Sequence, residues 1–407
     1  MTRELLVEHA RRTGAHARAG TAPLAADIHR VDAARYVDRD RWELEIERIF
    51  RRTPLIAGFT AEFAEPHAYK ALELAGTPIL LTRDGEEVRA FVNSCRHRGA
   101  NVTAPGSGTA RRFTCPYHAW TYDSGGRLVG ILDRDDFGDL DPTCHGLVPL
   151  PCAVRAGMVF VGLDPAAPFD LDRHLCGYGE MLDHLGFARC TYVGQQSVEG
   201  PNWKVAYDGY LDFYHLPILH KDSFGTSISN RAIYDAWGPH QRVSSPDRAA
   251  ARLLDRPEDE WTDEALTDGV WTVFPHASIA GFRVHPEPNP GGIGGRMFMV
   301  STLSPTDHPG RSVTVQHFLA DFEVTDELLP VIESQQEFLL RVVRDEDYFT
   351  GHRIQQALAT GAVPEVLFGR NEAGGQRFHR WVDDLLAAPR HEDHVALFDS
   401  ATADFQP

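Results

Sequence analysis

Positive charge is scarce in this 407-residue chain: 40 Lys and Arg stand against 58 Asp and Glu, a formal net charge of −18. Such a surface repels phosphate backbones, so nucleic acid is not an expected partner. No run of about 18 apolar residues is present, which excludes a membrane-spanning helix. The stretch Met1 to Gly20 carries Arg and His but lacks the apolar core of a secretory signal, so the protein is read as cytoplasmic. Six cysteines are too few for a disulfide scaffold. Neither a dinucleotide fingerprint nor a Cys-x₄-Cys-x₂-Cys run occurs, so no reductase is expected within the chain. What remains is a globular composition, 43% hydrophobic and 24% charged. Its length calls for two to three domains at roughly 150 residues each.

The hydrophobic pattern divides the chain into three parts. Residues 1–50 read as a helical arm, with Trp42, Leu44 and Ile49 among Glu43, Glu45 and Glu47. Residues 51–165 read as a small antiparallel β domain. Its runs Pro78–Thr82 and Val88–Val92 are joined by Asp84-Gly85, a hairpin signal, and further runs cover Arg112–Cys115, Thr121–Tyr122 and Met158–Leu163. Pro165 and Pro168 mark the boundary. In residues 166–407, strand-like Gly281–Arg283 and Met297–Thr302 flank a turn at Pro286–Gly292, and Gly291–Gly295 reads as a hairpin loop because no helix follows. Val331 to about Leu358 is the best helix, following Pro330. Strands with a late long helix predict an α+β fold, helices packed on an antiparallel sheet.

Two constellations carry chemistry. Cys95-Arg-His97 and Cys115-Pro-Tyr-His118 each lie on a short loop between β runs. Such a set binds one zinc ion, or a [2Fe–2S] cluster with two Cys on one iron and two His on the other. Cys144, Cys152, Cys176 and Cys190 have no ligand spacing and read as idle thiols. In the second constellation, Asp208, Asp212 and His215 fall at i, i+4 and i+7, one face of a helix. His220 is about 140° around a straight helix from His215. Pro217 disfavours helix at Leu216, and a bend there would let the two imidazoles converge on a metal. A third ligand is sought in Asp345-Glu346-Asp347. Leu340, Val343, Gly351, Ile354 and Leu358 all lie within about 40° of Asp347, placing it on the buried stripe, where an unpaired carboxylate is costly. Asp345 and Glu346 point elsewhere and read as surface acids. Two His and one carboxylate form the iron(II) set that leaves positions open for dioxygen. Asp212, one turn before His215, is placed to accept that ring's other N–H.

Cys95-Arg-His97-Arg-Gly99 and Cys115-Pro-Tyr-His118-Ala-Trp120 resemble the two cluster loops of the Rieske family. Asp208-x₃-Asp212-x₂-His215-x₄-His220, with Glu346-Asp347 and Gln355, resembles the iron motif of the catalytic (alpha) subunits of Rieske non-haem iron oxygenases. The resemblance spans about 45 to 385. It implies a Rieske [2Fe–2S] domain followed by a helix-grip catalytic domain with a mononuclear Fe(II). It also implies electrons from NAD(P)H through a separate flavin-containing reductase, with or without a ferredoxin. The resemblance further implies that Asp212 bridges to the neighbouring subunit's cluster histidine, the counterpart of His118. That calls for a homotrimer or larger ring, which leaves room for a small beta subunit. The activity so implied is hydroxylation of a small aromatic compound with O₂, dihydroxylation first; the alternative is monooxygenation or oxidative N- or O-demethylation of an aromatic or amine. Many members have Glu-Asn where this chain has Tyr207-Asp208, so the polarity beside the iron differs, and Asp208 joins Asp212 as an expected catalytic carboxylate. Trp271–Ile279 resembles a pocket-lining segment: Phe274, Ile279 and Phe282 would form an apolar wall, with Tyr207, Asp208 and His276 as its polar points.

Overall fold

The computed structural model describes residues 2–225, 228–286, 289 and 291–406. Helix α1 (Thr2–Ala19) buries Leu6, Val7 and Ala10 along one side. The first fifty residues are not helical throughout: His29–Asp32 is a strand paired with Glu365–Phe368. Its partner lies more than 300 residues away, so no local pattern announces it. After a 3₁₀ turn at Ala33–Tyr36, helix α2 (Arg39–Glu45) starts where the Asp38 carboxylate accepts the Arg41 N–H at 2.6 Å. It runs into a single π turn, Ile46–Phe50.

Three small antiparallel sheets follow. One has five strands in the order Pro149–Leu150, Glu87–Val92, Thr77–Asp84, Ala68–Leu74 and Gly106–Thr109. The hairpin signal Asp84-Gly85 is a hairpin here, Asp84 facing Glu87 and Gly85 at φ +65°. Arg112–Thr114, Thr121–Asp123 and Leu128–Gly130 form the second sheet, and Leu55–Phe59, Met158–Val161 and Cys152–Arg155 the third.

The second half is built on an eight-stranded antiparallel sheet. Its order is Thr191–Gly200, Ser312–Ala320, Gly295–Pro305, Ala277–Val284, Val270–Val273, His240–Ser244, Ile233–Trp237 and Ala403–Phe405. Helix α3 (Trp203–Leu211) packs on it, its end fixed by the Tyr234 hydroxyl donating to Leu211 O at 2.8 Å. At its start, the fully buried Glu45 carboxylate accepts from Lys204 Nζ and from Trp203 Nε1 (2.8 Å), which ties α3 to α2. Helix α4 (Leu216–Leu219) is one short turn. The expected long helix is three pieces: α5 (Leu329–Val342), a π segment over Val343–Tyr348, and α6 (Phe349–Leu358). Gly351 lets α6 pass close to α3, because a Cβ there would meet Pro201 Cγ at 2.9 Å. Helix α7 (Ala373–Ala387) covers the Phe274 side of α3. The turn read at Pro286–Gly292 includes Glu287, Pro288 and Pro290, which lie outside the described residues. No helix among the described residues is long and apolar enough to cross a membrane.

Candidate metal centres

Both cysteine loops close in the same way. Cys95 N–H donates to Ala100 O and Gly99 N–H returns to Cys95 O, both at 2.8 Å; Cys115 N–H donates to Trp120 O at 2.8 Å and Ala119 N–H to Cys115 O at 3.0 Å. The turning residue is left-handed in each, Gly99 at φ +82° and Ala119 at φ +56°. Only Gly enters that region freely, so the second loop holds local strain at Ala119. Asn93 braces the first loop, its Oδ1 accepting from Val102 N–H at 3.0 Å and its Nδ2 donating to Thr103 O at 2.9 Å.

These closures point four side chains together, sulfurs inward and imidazoles outward. Cys95 and Cys115 are buried beside Phe91, Trp120 and Tyr122, while His97 and His118 are half-buried. The imidazole rings lie 4.5 Å apart, and Trp120 stacks on His97 at 5.1 Å and 11°. Among the described residues His97 Nδ1 is buried without a hydrogen-bond partner, as a nitrogen that ligates a metal would be. The donor set and this orphan nitrogen fit a [2Fe–2S] cluster. The Tyr122 hydroxyl accepts the Arg96 N–H at 2.9 Å and stands 3.4 Å from Cys95 Sγ, so its proton is free for the sulfur. The other four cysteines are free; burial pushes the Cys152 and Cys176 thiols up to about 12 and Cys190 to about 11.

The second constellation assembles by a different route from the one its spacing predicts. Helix α3 stops at Leu211, and Asp212 turns extended at φ −102°, ψ 115°. Asp208, Asp212 and His215 therefore do not share a helix face. The Asp212 carboxylate causes the exit: Oδ1 accepts Tyr214 N–H at 2.5 Å, an alternative to the helical bond. Pro217 begins α4 instead of bending a continuing helix, since the first turn needs no N–H from it. His215 and His220 flank that turn, ring centroids 5.1 Å apart. Their Nε2 atoms lie 3.6 and 3.2 Å from one oxygen, Oδ1 of Asp347. Ligand atoms of all three lie within 4.8 Å of one another, a set that can hold a metal ion. Two neutral imidazoles and a carboxylate fit Fe(II).

Both far nitrogens are held. His215 Nδ1 meets Asp212 Oδ2 at 3.0 Å, and His220 Nδ1 meets Glu346 Oε2 at 2.6 Å. Ser223 Oγ donates to the same Glu346 oxygen at 2.9 Å. Burial disfavours charge on His220, but Asp347 and Glu346 outweigh it and raise the ring above its ordinary value. Glu346 was expected on the surface, and reading at 100° per residue could not find it. The π segment Val343–Tyr348 adds a residue to the turn, and Glu346 and Asp347 now serve the same histidine. The one available signal was an acid adjacent to a candidate ligand. Asp345 is bound to its neighbour Arg344 in solvent.

The proposed substrate wall does not form. Ile279 and Phe282 stand three apart on one strand and so face opposite sides of the sheet. Ile279 packs with Trp271 and Phe298, Phe282 with Val284 and Met297, and Phe274 with Tyr207 and Phe378. His276 Nε2 accepts Ile56 N–H at 2.8 Å, linking this sheet to the strand Leu55–Phe59; burial holds its pKa at about 3. Asp208 accepts from the Tyr36 hydroxyl at 2.8 Å and meets His379 Nε2 at 3.0 Å, engaging the N-terminal arm and α7.

Residues 187–388 match the ring hydroxylating alpha subunit (catalytic domain), and residues 54–137 the Rieske [2Fe-2S] domain. Chlorobenzene dioxygenase subunit alpha of Cupriavidus sp. is 32% identical over 46% of this chain and 43% of its own length. The chloroplastic choline monooxygenase of Spinacia oleracea is 34% identical over 56% of this chain and 55% of its own. The chain thus spans about half the length of the curated relatives it matches. Among solved structures, naphthalene 1,2-dioxygenase from Rhodococcus sp. superposes with a TM-score of 0.71 at 20% identity, over 96% of this chain and 100% of that one. The apo quaternary ammonium Rieske monooxygenase CntA gives 0.70 at 23%, over 88% and 96%. With both characteristic segments matched in order over most of its length, the chain belongs to the Rieske non-haem iron oxygenases, as an alpha subunit.

Proposed function

We propose that the chain is the terminal oxygenase component of a multi-protein system that hydroxylates a small organic substrate with O₂. In this reading Cys95, His97, Cys115 and His118 hold the cluster within a domain of residues 51–165, and His215, His220 and Asp347 hold Fe(II) within residues 166–407. The observation that carries it is the convergence of His215, His220 and Asp347 to within 4.8 Å. Bound there, the ferrous ion supplies open coordination positions for dioxygen and the cluster supplies single electrons.

The chain's own groups do the rest. Asp212 and Glu346 accept the Nδ1 protons and leave both Nε2 atoms free and aimed at one point. Asp212 is fixed in turn by Tyr214 N–H, and it would hold the proton shared with His215 as charge passes. Beside it Tyr214 and Ile218 are 66% and 75% exposed. This apolar surface suits a neighbouring subunit whose His118 edge approaches Asp212, in a homotrimer or larger assembly. Electrons would come from NAD(P)H through a separate flavin-containing reductase, with or without a ferredoxin, in the cytoplasm.

For the substrate, aromatic dihydroxylation is the leading reading, supported by relatives named as chlorobenzene and anthranilate dioxygenases. Monooxygenation or oxidative demethylation is the second, favoured by the likeness to choline monooxygenase and by Tyr207-Asp208. The test is iron content and coupling. Loaded wild type should hold about three irons per chain, two in the cluster, and Asp347→Ala about two with the cluster spectrum intact. Aromatic acids and quaternary amines are then screened for NADH consumption matched by product. Two irons in wild type, or three in Asp347→Ala, would rule the assignment out.

A further inference from the structure

A cavity of about 230 Å³ lies between α1 and the last two strands of the eight-stranded sheet, Ile233–Trp237 and Ala403–Phe405. None of its walls comes from α3, α4 or the π segment, so it is separate from the His215–His220–Asp347 site. Leu5, Met181, Trp237 and Phe405 give it an apolar lining. Its acids are Asp235 and Glu8, its bases Arg12, Arg242 and His9. Glu8 stands exposed at the rim and pairs with Arg11. Asp235 is fully engaged, Oδ1 accepting from Arg12 Nη2 at 2.9 Å and Oδ2 meeting His9 Nδ1. Burial lowers His9 to about 4, so the ring is neutral near pH 7. That leaves Arg242. It is 2% exposed, and its guanidinium is held flat over the Trp271 ring, 4.8 Å from the centroid. Nε and Nη2 both donate to the backbone oxygen of Asp268, at 3.1 and 2.7 Å, while the Asp268 side chain stays in solvent. Among the described residues no carboxylate reaches ion-pair distance of Arg242, and its Nη1 is buried without any hydrogen-bond partner.

We infer that this cavity binds a small organic anion, a short apolar body ending in a carboxylate that bonds Arg242 Nη1. The donor inventory selects the group. Two edges of the guanidinium fork are spent on Asp268 O, which lies outside the lining, so Nη1 is the edge left for the cavity. A buried donor left unmade is costly, and a buried charge left unpaired more so. The buried groups Arg12 and Arg242 against Asp235 leave one positive charge uncompensated, and no acid of the wall is free to answer it. A carboxylate supplies both the acceptor and the opposite charge. Water would supply only the acceptor, and an amine would add a second cation. Size sets the rest of the ligand. An apolar cavity of about 150 Å³ holds benzene, so 230 Å³ admits about six carbons with the carboxylate. Leu5, on the outer side of α1 and 37% exposed, stands where such a molecule would enter.

Isothermal titration calorimetry on the full-length holoprotein tests this with three probes of one length: hexanoate, 1-hexanol and hexylammonium. Hexanoate should bind at one site per chain. Hexanol should bind at least about tenfold more weakly, the loss of one hydrogen bond to a charged group, and hexylammonium should give no heat of binding. Arg242→Met should weaken hexanoate at least about tenfold and bring it level with hexanol. Leu5→Trp fills the cavity from its rim and leaves every charge in place. It should weaken hexanoate and hexanol alike, and it decides the matter if Arg242→Met does not fold. Asp347→Ala, at the iron site, should bind hexanoate as the wild type does. No binding of hexanoate to the wild type would overturn the inference, as would hexanol binding equally well. So would wild-type affinity in Leu5→Trp or in folded Arg242→Met. Loss of hexanoate binding in Asp347→Ala would overturn it too, assigning the ligand to the iron site.

Discussion

At His220 both ring nitrogens are committed, Nε2 toward Asp347 and Nδ1 to Glu346. Glu346 fixes the tautomer and leans the imidazole toward the metal position. Glu346→Gln should therefore weaken Fe(II) binding about 10–100-fold while the cluster stays intact, read by chelator competition. Asp345→Ala, one residue earlier but paired with Arg344 in solvent, should bind iron normally. Asp212→Asn has a different expected phenotype. Both centres should be present and the oligomer normal, but oxidation of a pre-reduced cluster on adding substrate and O₂ should slow at least about tenfold, since the charge that holds the shared proton is gone. Cluster oxidation at the wild-type rate would remove Asp212 from the route. Tyr122 acts on the other centre. Its proton is directed at Cys95 Sγ, and Tyr122→Phe should lower the cluster's reduction potential by removing that bond, as redox titration would show.

Among the elements, α3 is held hardest at its start. Glu45 accepts from Lys204 and Trp203 on α3 and from Arg41 on its own helix, and the carboxylate and ammonium are both fully buried. Removing one partner of a buried pair strands the other. Glu45→Ala, which leaves the Lys204 ammonium without a carboxylate, should cost about 3–5 kcal/mol in denaturant unfolding. Lys204→Met leaves Glu45 still bonded to Trp203 and Arg41 and should cost less. Equal losses would show that the pair acts as filler and not as charge. At its other end α3 is ended by Asp212, so the candidate ligand His215 sits on the turn between α3 and α4. The π segment before α6 plays the matching part for Asp347 and Glu346.

Over the whole molecule, buried neutral histidines join the parts. His276 takes Ile56 N–H from the cluster half, and His240 accepts Phe274 N–H at 3.1 Å while donating to His174 O at 2.7 Å. His9, on the buried side of α1, meets Asp235 and Ser244. Burial, first among the causes, lowers His276 to about 3 and His9 and His240 to about 4. A folded pKa below the unfolded value means that the unfolded chain binds more protons. Stability is then fully present above about pH 6.5 and declines as pH falls, down to about 4 for His9 and His240 and to about 3 for His276, and flattens below that. The slope is ~1.4 kcal/mol per pH unit for each such histidine. The thermal midpoint should fall between pH 7 and 4.5, and His240→Asn should flatten that decline. A pH-independent midpoint would mean that these rings are charged when folded.

The cluster loops were legible in the chain itself, because their candidate ligands are local: one or two residues separate each Cys from its His, and the closing hydrogen bonds run within six residues. The α+β fold and the place of Asp347 beside His215 and His220 were legible as well, since strand alternation and a buried helical stripe are periodic signals. Tertiary structure decided the rest. Whether α3 continued past Leu211 depended on competition between the Asp212 side chain and the helix, and whether Glu346 faced His220 depended on one extra residue in a turn. The strand His29–Asp32 waited for a partner near residue 365, and Asp208 for Tyr36 and His379. Each of these outcomes is set by an interaction between distant segments or by a small local free-energy difference, and neither leaves a period in the sequence.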